Sequence, residues 1–382
     1  MMQRNTIAPF AASILATCLS TVCSAQTITP TVSNWKLNLT GQAGYGGILA
    51  DVQQVLHSTN FVYVKSTNIP SYMIGPWPGN PTTPSNQNWT FKFPKTVTYT
   101  ATGAVVGLGH VGVFTNGVVF FSALDAMSYN NQNIWHQSAV YFEAAGFDSC
   151  KGHPGPSRAY HTHQLSGCVA MNDPTKHSMI LGWGFDGIPI YGSYGYSAVD
   201  GTGGIRRMQS GYQKRAITQR TTLPNGTALP PNQYGPAVSA TYPLGCYAED
   251  YVFVMKGADL DATNARFCVT PEFPNGTWAY FATIDSALAP AYPFLIGARY
   301  RGVVTAGNTG PGGGHVVISE ATINFTSTPC LADLNGDRVV DAADLASLLS
   351  RWGFGGGLGD LDRSGDVGGG DLAILLNSWG NC

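Results

Sequence analysis

The chain has 382 residues, a formal net charge of −2 and only 11% charged residues. This balance argues against nucleic-acid binding, which requires a basic patch. The hydrophobic content of 44% argues against intrinsic disorder. The 47 glycines and the 11% aromatic residues are typical of an extracellular all-β protein with many tight turns.

Residues 1–25 have the features of a signal peptide. Arg4 precedes an uncharged apolar stretch over 8–22, and small residues before Gln26 predict cleavage there. Lipid attachment at Cys18 is the alternative, but Thr17 is bulky for the position before it. Because no later segment has about 18 consecutive apolar residues, we expect no membrane span. The protein is thus predicted to be secreted, or held at the cell surface of a bacterium.

The cysteines agree with export. Six remain after the predicted cleavage, and an even number in an exported chain indicates disulfides. They are Cys150, Cys168, Cys246, Cys268, Cys330 and Cys382. The simplest pairing joins sequence neighbours, which gives 150–168, 246–268 and 330–382.

Residues 26–328 are predicted to form one mainly β domain, a sandwich or a barrel-like fold with long loops. Short β-branched and aromatic runs, separated by Gly, Pro and Asn, predict strands. These runs are 111–121, 188–194, 251–255 and 315–325. The Asn116-Gly117 pair within the first run predicts a hairpin. Residues 201–245, rich in Gly, Pro, Gln and Thr, indicate an extended insertion outside the core.

A small α-helical module is predicted over residues 329–382, where an internal repeat occurs. Five residues recur at an offset of 27, namely Asp333, Leu345, Leu348, Leu349 and Trp352 as Asp360, Leu372, Leu375, Leu376 and Trp379. In each repeat a loop of alternating oxygen-bearing residues precedes an apolar helix stripe. Calcium takes six to eight oxygen ligands from such loops. The predicted calcium ligands are Asp333, Asn335, Asp337, Val339, Asp341 and Asp344 in the first loop, and Asp360, Asp362, Ser364, Asp366 and Asp371 in the second.

Residues 330–382 resemble a type I dockerin, the two-repeat calcium module that docks extracellular enzymes onto cohesin domains. The resemblance implies calcium as a cofactor and a cohesin-like or cell-surface partner. Arg338 stands where a glycine is usual, and Ala342-Ala343 and Gly369-Gly370 occupy the positions that read the partner. Self-contained anchoring or sorting is therefore an alternative role, and a solvated Asp/Gly-rich linker is the alternative structure.

Four of the eight histidines lie close together in the sequence, namely His153, His161, His163 and His177. In a strand, His161 and His163 project from the same face, about 6–7 Å apart. Neutral imidazole binds zinc, copper, iron and nickel. The pair therefore predicts a transition-metal site, for example copper or zinc, with His153, His177 or Asp186 as a third ligand. A 150–168 disulfide would hold this loop rigid.

Two other interpretations of the histidines stay open: a structural hydrogen-bond network and metal-free acid–base chemistry. Paired carboxylates serve glycoside hydrolysis, and the catalytic candidates are Asp186, Glu249, Asp261 and Glu272, with Asp148 and Asp250 as further acids. Each is also explained as a turn-forming or hydrogen-bonded acid. The sequence has no Gly-x-Ser-x-Gly, His-Glu-x-x-His or phosphate-binding glycine loop.

Residues from about 110 to 300 resemble the YHYH domain family. The matching motifs are Gly152-His153-Pro154, Tyr160-His161-Thr162-His163, Phe185-Asp186-Gly187-Ile188-Pro189-Ile190-Tyr191-Gly192 and Thr270-Pro271-Glu272-Phe273-Pro274-Asn275-Gly276-Thr277. Thr162 replaces the second tyrosine of the tetrapeptide that names the family, and Trp278 stands where a tyrosine is usual. The resemblance implies an exported protein and assigns it no activity.

Three functions are compatible with these observations. The first is a secreted metalloprotein that acts on extracellular polymers, with polysaccharide degradation suggested by association with the dockerin resemblance. The second is a non-catalytic surface module that binds carbohydrate or protein and uses its histidines structurally. The third is a metal-free hydrolase that uses the acidic candidates.

Overall fold

The computed structural model describes residues 29–170, 172–310, 312–326, 332–335, 339–353, 359–361, 364 and 366–381. Up to residue 326 the described chain is mainly β, as the composition predicted. Its strands are β1 Val52–His57, β2 Phe61–Ser66, β3 Trp89–Pro94, β4 His110–Phe114, β5 Val119–Phe121, β6 Leu124–Ser128, β7 His136–Ser138, β8 Gly152–Pro154, β9 Tyr160–Thr162, β10 Ile180–Gly184, β11 Pro189–Tyr191, β12 Tyr194–Tyr196, β13 Ile205–Arg207, β14 Tyr212–Lys214, β15 Tyr251–Phe253, β16 Ala265–Thr270, β17 Phe273–Phe281 and β18 Ile323–Phe325. The short helices are α1 Pro30–Ser33 and α2 Ala139–Phe142, with 3-10 turns at Tyr45–Gly47, Tyr129–Asn131, Ala144–Gly146, Pro231–Gln233 and Ala248–Asp250.

Two open sheets form the centre of the protein. The larger has eight strands in the order β16-β17-β11-β10-β4-β5-β9-β8, and the smaller has four in the order β18-β1-β2-β3. Neighbours run antiparallel except β11–β17 and β5–β9, which are parallel. Neither sheet closes on itself, so the mainly β prediction is confirmed and its barrel-like alternative is not.

The core lies on both faces of the larger sheet. On one face Trp183 and Phe281 pack in one cluster with Val64 and Phe91 of the smaller sheet. The opposite face is covered by a second cluster that includes Tyr280 and Ile296. All five residues of β10 are therefore buried, as expected for a strand that is covered on both faces.

The Asn116-Gly117 hairpin is confirmed between β4 and β5. Gly117 has φ +81°, and its N–H donates to the Phe114 carbonyl at 2.8 Å. The positive φ explains why glycine suits this turn. The runs 188–194 and 251–255 also contain strands, whereas the 315–325 run forms a strand only at its end.

Residues 201–245 are mostly exposed or half-buried, as expected for an insertion, but parts of the segment enter the interior. The segment contributes β13 and β14, which pair with β12 and β15. Met208 and Arg220 are fully buried. The buried guanidinium of Arg220 forms an ion pair with Asp250, whose side chain is also fully buried.

One disulfide prediction is confirmed and one is wrong. Cys150 and Cys168 are bonded. Cys246 and Cys268 are free, buried thiols, because Cys246 belongs to a cluster with Trp135 while Cys268 lies in the core between the sheets. The third predicted pair, 330–382, lies outside the described residues, as does the predicted signal peptide.

The described C-terminal residues contain two helices, α3 Ala342–Leu349 and α4 Gly369–Asn377, and the short paired strands β19 Val339–Val340 and β20 Gly380–Asn381. Asp344 and Asp371 close the helix starts by accepting backbone N–H groups of Asp341 and Gly368. A small core joins the repeats through Ala332, Val340, Leu348, Val367 and Leu375. The apolar stripe is only partly buried, since Trp352 and Trp379 are about half exposed.

Several predictions about the C-terminal residues stay untested. The candidate ligands Asp337 and Asp362 lie outside the described residues. The boundaries 1–25, 26–328 and 329–382 also stay predictions. Among the helices that the structure describes, none combines the length and apolar character needed to cross a membrane.

Candidate metal centre

Three of the predicted histidines meet on neighbouring strands at one end of the larger sheet. His153 in β8 pairs directly with His161 in β9, and His163 follows β9 on the face that carries His161. The ring centroid of His161 lies 4.5 Å from that of His153 and 5.0 Å from that of His163. The alternation of side chains along a strand therefore brings the two histidines of the tetrapeptide together.

A glutamate completes the group. Glu143 directly follows α2, and its Oε2 lies 3.0 Å from His163 Nε2 and 3.3 Å from His153 Nε2. Each of the four side chains offers one ligand atom within 4.8 Å of the others. Zinc binds imidazole nitrogen at about 2.0–2.1 Å, so ligand atoms of one ion lie roughly 3–4 Å apart. A group of this size and composition can bind one transition-metal ion.

Backbone carbonyls hold two of the imidazoles in the form that binds metals. His161 Nδ1 donates to the Ala159 carbonyl at 3.0 Å, and His163 Nδ1 donates to the Ser122 carbonyl at 2.6 Å. A ring that donates through Nδ1 keeps the Nε2 lone pair free for a metal. The same hydrogen bonds fix the ring orientation.

Aromatic side chains pack against the three rings. Phe121 stacks on His161 with centroids 3.7 Å apart and meets His163 edge-on. Phe147 contacts His153 edge-on with centroids 5.0 Å apart, and it stacks against His163. These contacts exclude water from the rings and restrict their rotation.

Burial and mutual charge set the protonation states of the group. Burial, with the neighbouring His163 and His153, lowers the pKa of His161 well below its ordinary value. Burial raises the pKa of Glu143, but its contacts with His153 and His163 outweigh burial and hold that pKa below the usual range. His161 is thus neutral and Glu143 is a carboxylate, which are the forms that bind a cation.

Three of the converging atoms have no conventional hydrogen bond. Glu143 Oε2, His153 Nε2 and His163 Nε2 are buried and lack a hydrogen-bond partner, although the carboxylate oxygen lies 3.3 Å from His153 Nε2 and 3.0 Å from His163 Nε2. Buried polar atoms in this state cost about 1–3 kcal/mol each. A bound cation would satisfy all three.

Asp148 positions the turn that leads to His153. Its carboxylate accepts the N–H groups of Gly75 at 2.8 Å and Gly152 at 3.1 Å, and the Tyr160 hydroxyl at 3.0 Å. The turn contains Cys150, whose disulfide closes the loop that carries all three histidines. Asp148 therefore has a structural role.

Reduction of the Cys150–Cys168 bond is expected to lower the free energy of unfolding by about 3 kcal/mol, because the bond closes a loop of 18 residues. Urea unfolding with and without reductant measures the change. A Cys150→Ala plus Cys168→Ala variant should show the lower stability in both conditions. Equal stability of the oxidised and reduced wild-type protein would contradict this.

His177 lies outside the group, so its prediction as a ligand is corrected. Its Nδ1 donates to the Ser178 carbonyl at 2.7 Å, and its ring packs against Tyr191, Tyr196 and Phe281. The four-histidine set predicted from the sequence becomes three histidines and Glu143.

The predicted catalytic acids have structural partners. The Asp186 carboxylate accepts the Tyr280 hydroxyl at 2.7 Å and the Gly302 N–H at 2.9 Å. Glu249 accepts the backbone and ring N–H groups of His136, Asp261 accepts the N–H groups of Thr263 and Ala265, and Glu272 accepts the Tyr191 hydroxyl. None of the four acids belongs to the metal group found among the described residues.

The Asp186 carboxyl is expected to make stability depend on pH. Burial raises its pKa to about 6, against the hydrogen bonds from Tyr280 and Gly302. Between pH 7 and pH 4 the folded state therefore binds more protons than the unfolded state, and stability rises as pH falls. From pH 7 to pH 5, the wild-type free energy of unfolding should gain about 1 kcal/mol over that of Asp186→Asn. A constant difference in urea titrations would disprove this.

Sequence reasoning missed Glu143, which lies ten positions before His153 and directly follows α2. The chain has only four glutamates. Testing each glutamate as a further ligand beside the histidines would have given a short set of candidates. No spacing rule, however, connects a residue after α2 with residues in a hairpin.

Comparison with known proteins places the chain in a family. No curated protein and no solved structure matches it. The sequence profile of the YHYH protein family matches residues 90–292, a range that includes Glu143, the three histidines and the Cys150–Cys168 disulfide. More than half of the chain is matched, and the protein therefore belongs to the YHYH protein family.

Proposed function

We propose that the protein binds one transition-metal ion, zinc or copper, through His153, His161, His163 and Glu143. The observation that carries the proposal is the convergence of four ligand atoms within 4.8 Å. Three of these atoms are buried without a hydrogen-bond partner. Imidazole and carboxylate are suitable ligands for both metals.

The proposal extends to a secreted metalloprotein that acts on extracellular polymers. Three of the four proposed ligands are the histidine set that catalytic zinc uses, and zinc held by such a set lowers the pKa of a water bound in the fourth position when Glu143 leaves that position open. The apolar segment before Gln26 and the disulfide of the histidine loop support export. Polysaccharide is the proposed polymer only by association with the dockerin resemblance.

Elemental analysis of the full mature chain tests the metal site. We expect about one zinc or copper ion per wild-type chain after loading and dialysis, and loss of that ion in a His161→Ala plus His163→Ala variant. Wild-type protein without a transition metal, or equal metal content in the double variant, would refute the proposal.

We further propose that residues 329–382 bind calcium and attach the protein to a cohesin-like or cell-surface partner. The two helix starts closed by Asp344 and Asp371 support a repeated loop–helix unit. Calcium should increase the helical circular dichroism of this module, and chelation should reverse the change. An identical spectrum in both conditions would count against calcium binding.

A further inference from the structure

The four metal-binding side chains are not restrained equally. His161 and His163 are each tied to a backbone carbonyl and packed against Phe121. His153 is held by strand pairing with His161 and by Phe147. Displacing any of these rings from a metal would require breaking packing or backbone hydrogen bonds.

Glu143 is the exception. It follows the last residue of a four-residue helix, and 29% of its side chain is exposed. Its Oε2 faces His153 and His163 without forming a hydrogen bond. Among the described contacts, only these two rings restrain the carboxylate, whereas backbone carbonyls hold His161 and His163.

Solvent exposure within the group is greatest at the Glu143 side chain. The side chain of His163 is 2% exposed and that of His153 is 12% exposed, compared with 29% for Glu143. His161 is buried beneath Phe121 and Gly155, where a Cβ would lie 3.3 Å from His161 Cε1. Glu143 is therefore the member of the group nearest to solvent, and a small molecule would approach the metal position from its side.

Charge determines which molecule can replace the glutamate. A divalent ion with three neutral imidazoles carries a charge of +2, and the Glu143 carboxylate reduces it to +1. Asp125 is a buried neighbour whose carboxyl interacts electrostatically with Glu143 and His163. A second anion beside Glu143 would meet this negative charge, whereas an anion in place of Glu143 leaves the total unchanged.

We propose that Glu143 is a displaceable ligand, and that its position on the metal is the binding site for a small carboxylate from solution. This inference rests on the proposed metal site. The carboxylate replaces one metal–oxygen bond with another of the same kind, and the three histidines stay bound throughout.

Cobalt(II) is the probe for the test, because its visible absorption reports the ligands around the metal, and acetate is the competing carboxylate. The cobalt-loaded wild-type chain is titrated with acetate alongside Glu143→Gln and Glu143→Asp. Glu320→Gln is the matched control, since this glutamate contacts Tyr63 outside the site. Circular dichroism verifies that each variant is folded.

Removing the internal carboxylate should make acetate bind at least about tenfold more tightly in Glu143→Gln, because a tethered ligand competes at high effective concentration. Glu143→Asp should be intermediate, Glu320→Gln should match the wild type, and acetate should restore a wild-type-like spectrum to Glu143→Gln. Unchanged acetate affinity in Glu143→Gln, with cobalt still bound, would overturn the displaceable ligand alone. Failure of the wild-type chain to bind cobalt would overturn the metal site and this inference with it.

Discussion

Zinc at about a thousand times its dissociation constant should raise the free energy of unfolding of the wild-type chain by about 4 kcal/mol. The ion binds the folded state, where four ligand atoms lie within 4.8 Å, and has no such site in the unfolded chain. Occupation also removes the cost of three buried polar atoms that lack hydrogen-bond partners. Urea titrations at several zinc concentrations measure the increase and give the dissociation constant.

Variants show whether the stabilisation comes from the proposed site. His161→Ala plus His163→Ala should abolish the zinc-dependent increase, because two of the three nitrogen ligands are lost. His177→Ala is the matched control, since His177 packs against Tyr191 and Phe281 in another part of the fold. It should lower the baseline stability and keep the full zinc increment. An increment that survives in the double variant would place the zinc elsewhere.

The sequence predicted those features that depend on local spacing. Strand alternation brought His161 and His163 to one face, and Asn116-Gly117 marked the hairpin between β4 and β5. The 150–168 disulfide was accessible to prediction because its loop is short. In each case the relevant geometry is fixed within about 20 residues of chain.

Features that depend on the tertiary fold were missed. Cys246 and Cys268 are close in sequence, but Cys246 packs in the cluster around Trp135, whereas Cys268 in β16 lies in the core between the two sheets. Glu143 joins the histidines through the arrangement of the strands. The helix before it, α2, packs against β6 and β7. The strand that precedes β6 in the chain is β5, which pairs with β9. Neither relation follows from residue spacing, since both require knowing which strands are neighbours.

Arg220 presents the same difficulty, because composition predicted a peripheral segment around a residue that is fully buried. Its guanidinium donates to both oxygens of Asp250, each at 2.7 Å. It also donates to the carbonyls of Pro236 and Pro243 in its own segment. The ion pair thus connects the 201–245 segment to the turn before β15.

Asp250→Ala is expected to lower the free energy of unfolding by about 3–5 kcal/mol, because it leaves the Arg220 guanidinium buried without a counter-charge. The N–H groups of Gly245 and Tyr247, which also donate to Asp250, lose their acceptor in the same variant. Asp200→Ala is the matched control, since this aspartate is exposed and accepts only within its own turn, and its effect on stability should be small compared with that of Asp250→Ala. Replacing both partners, Arg220→Met with Asp250→Leu, should recover much of the loss, because an apolar pair leaves no uncompensated charge. Urea unfolding measures all three variants, and equal losses in Asp250→Ala and Asp200→Ala would show that the ion pair does not hold the segment in place.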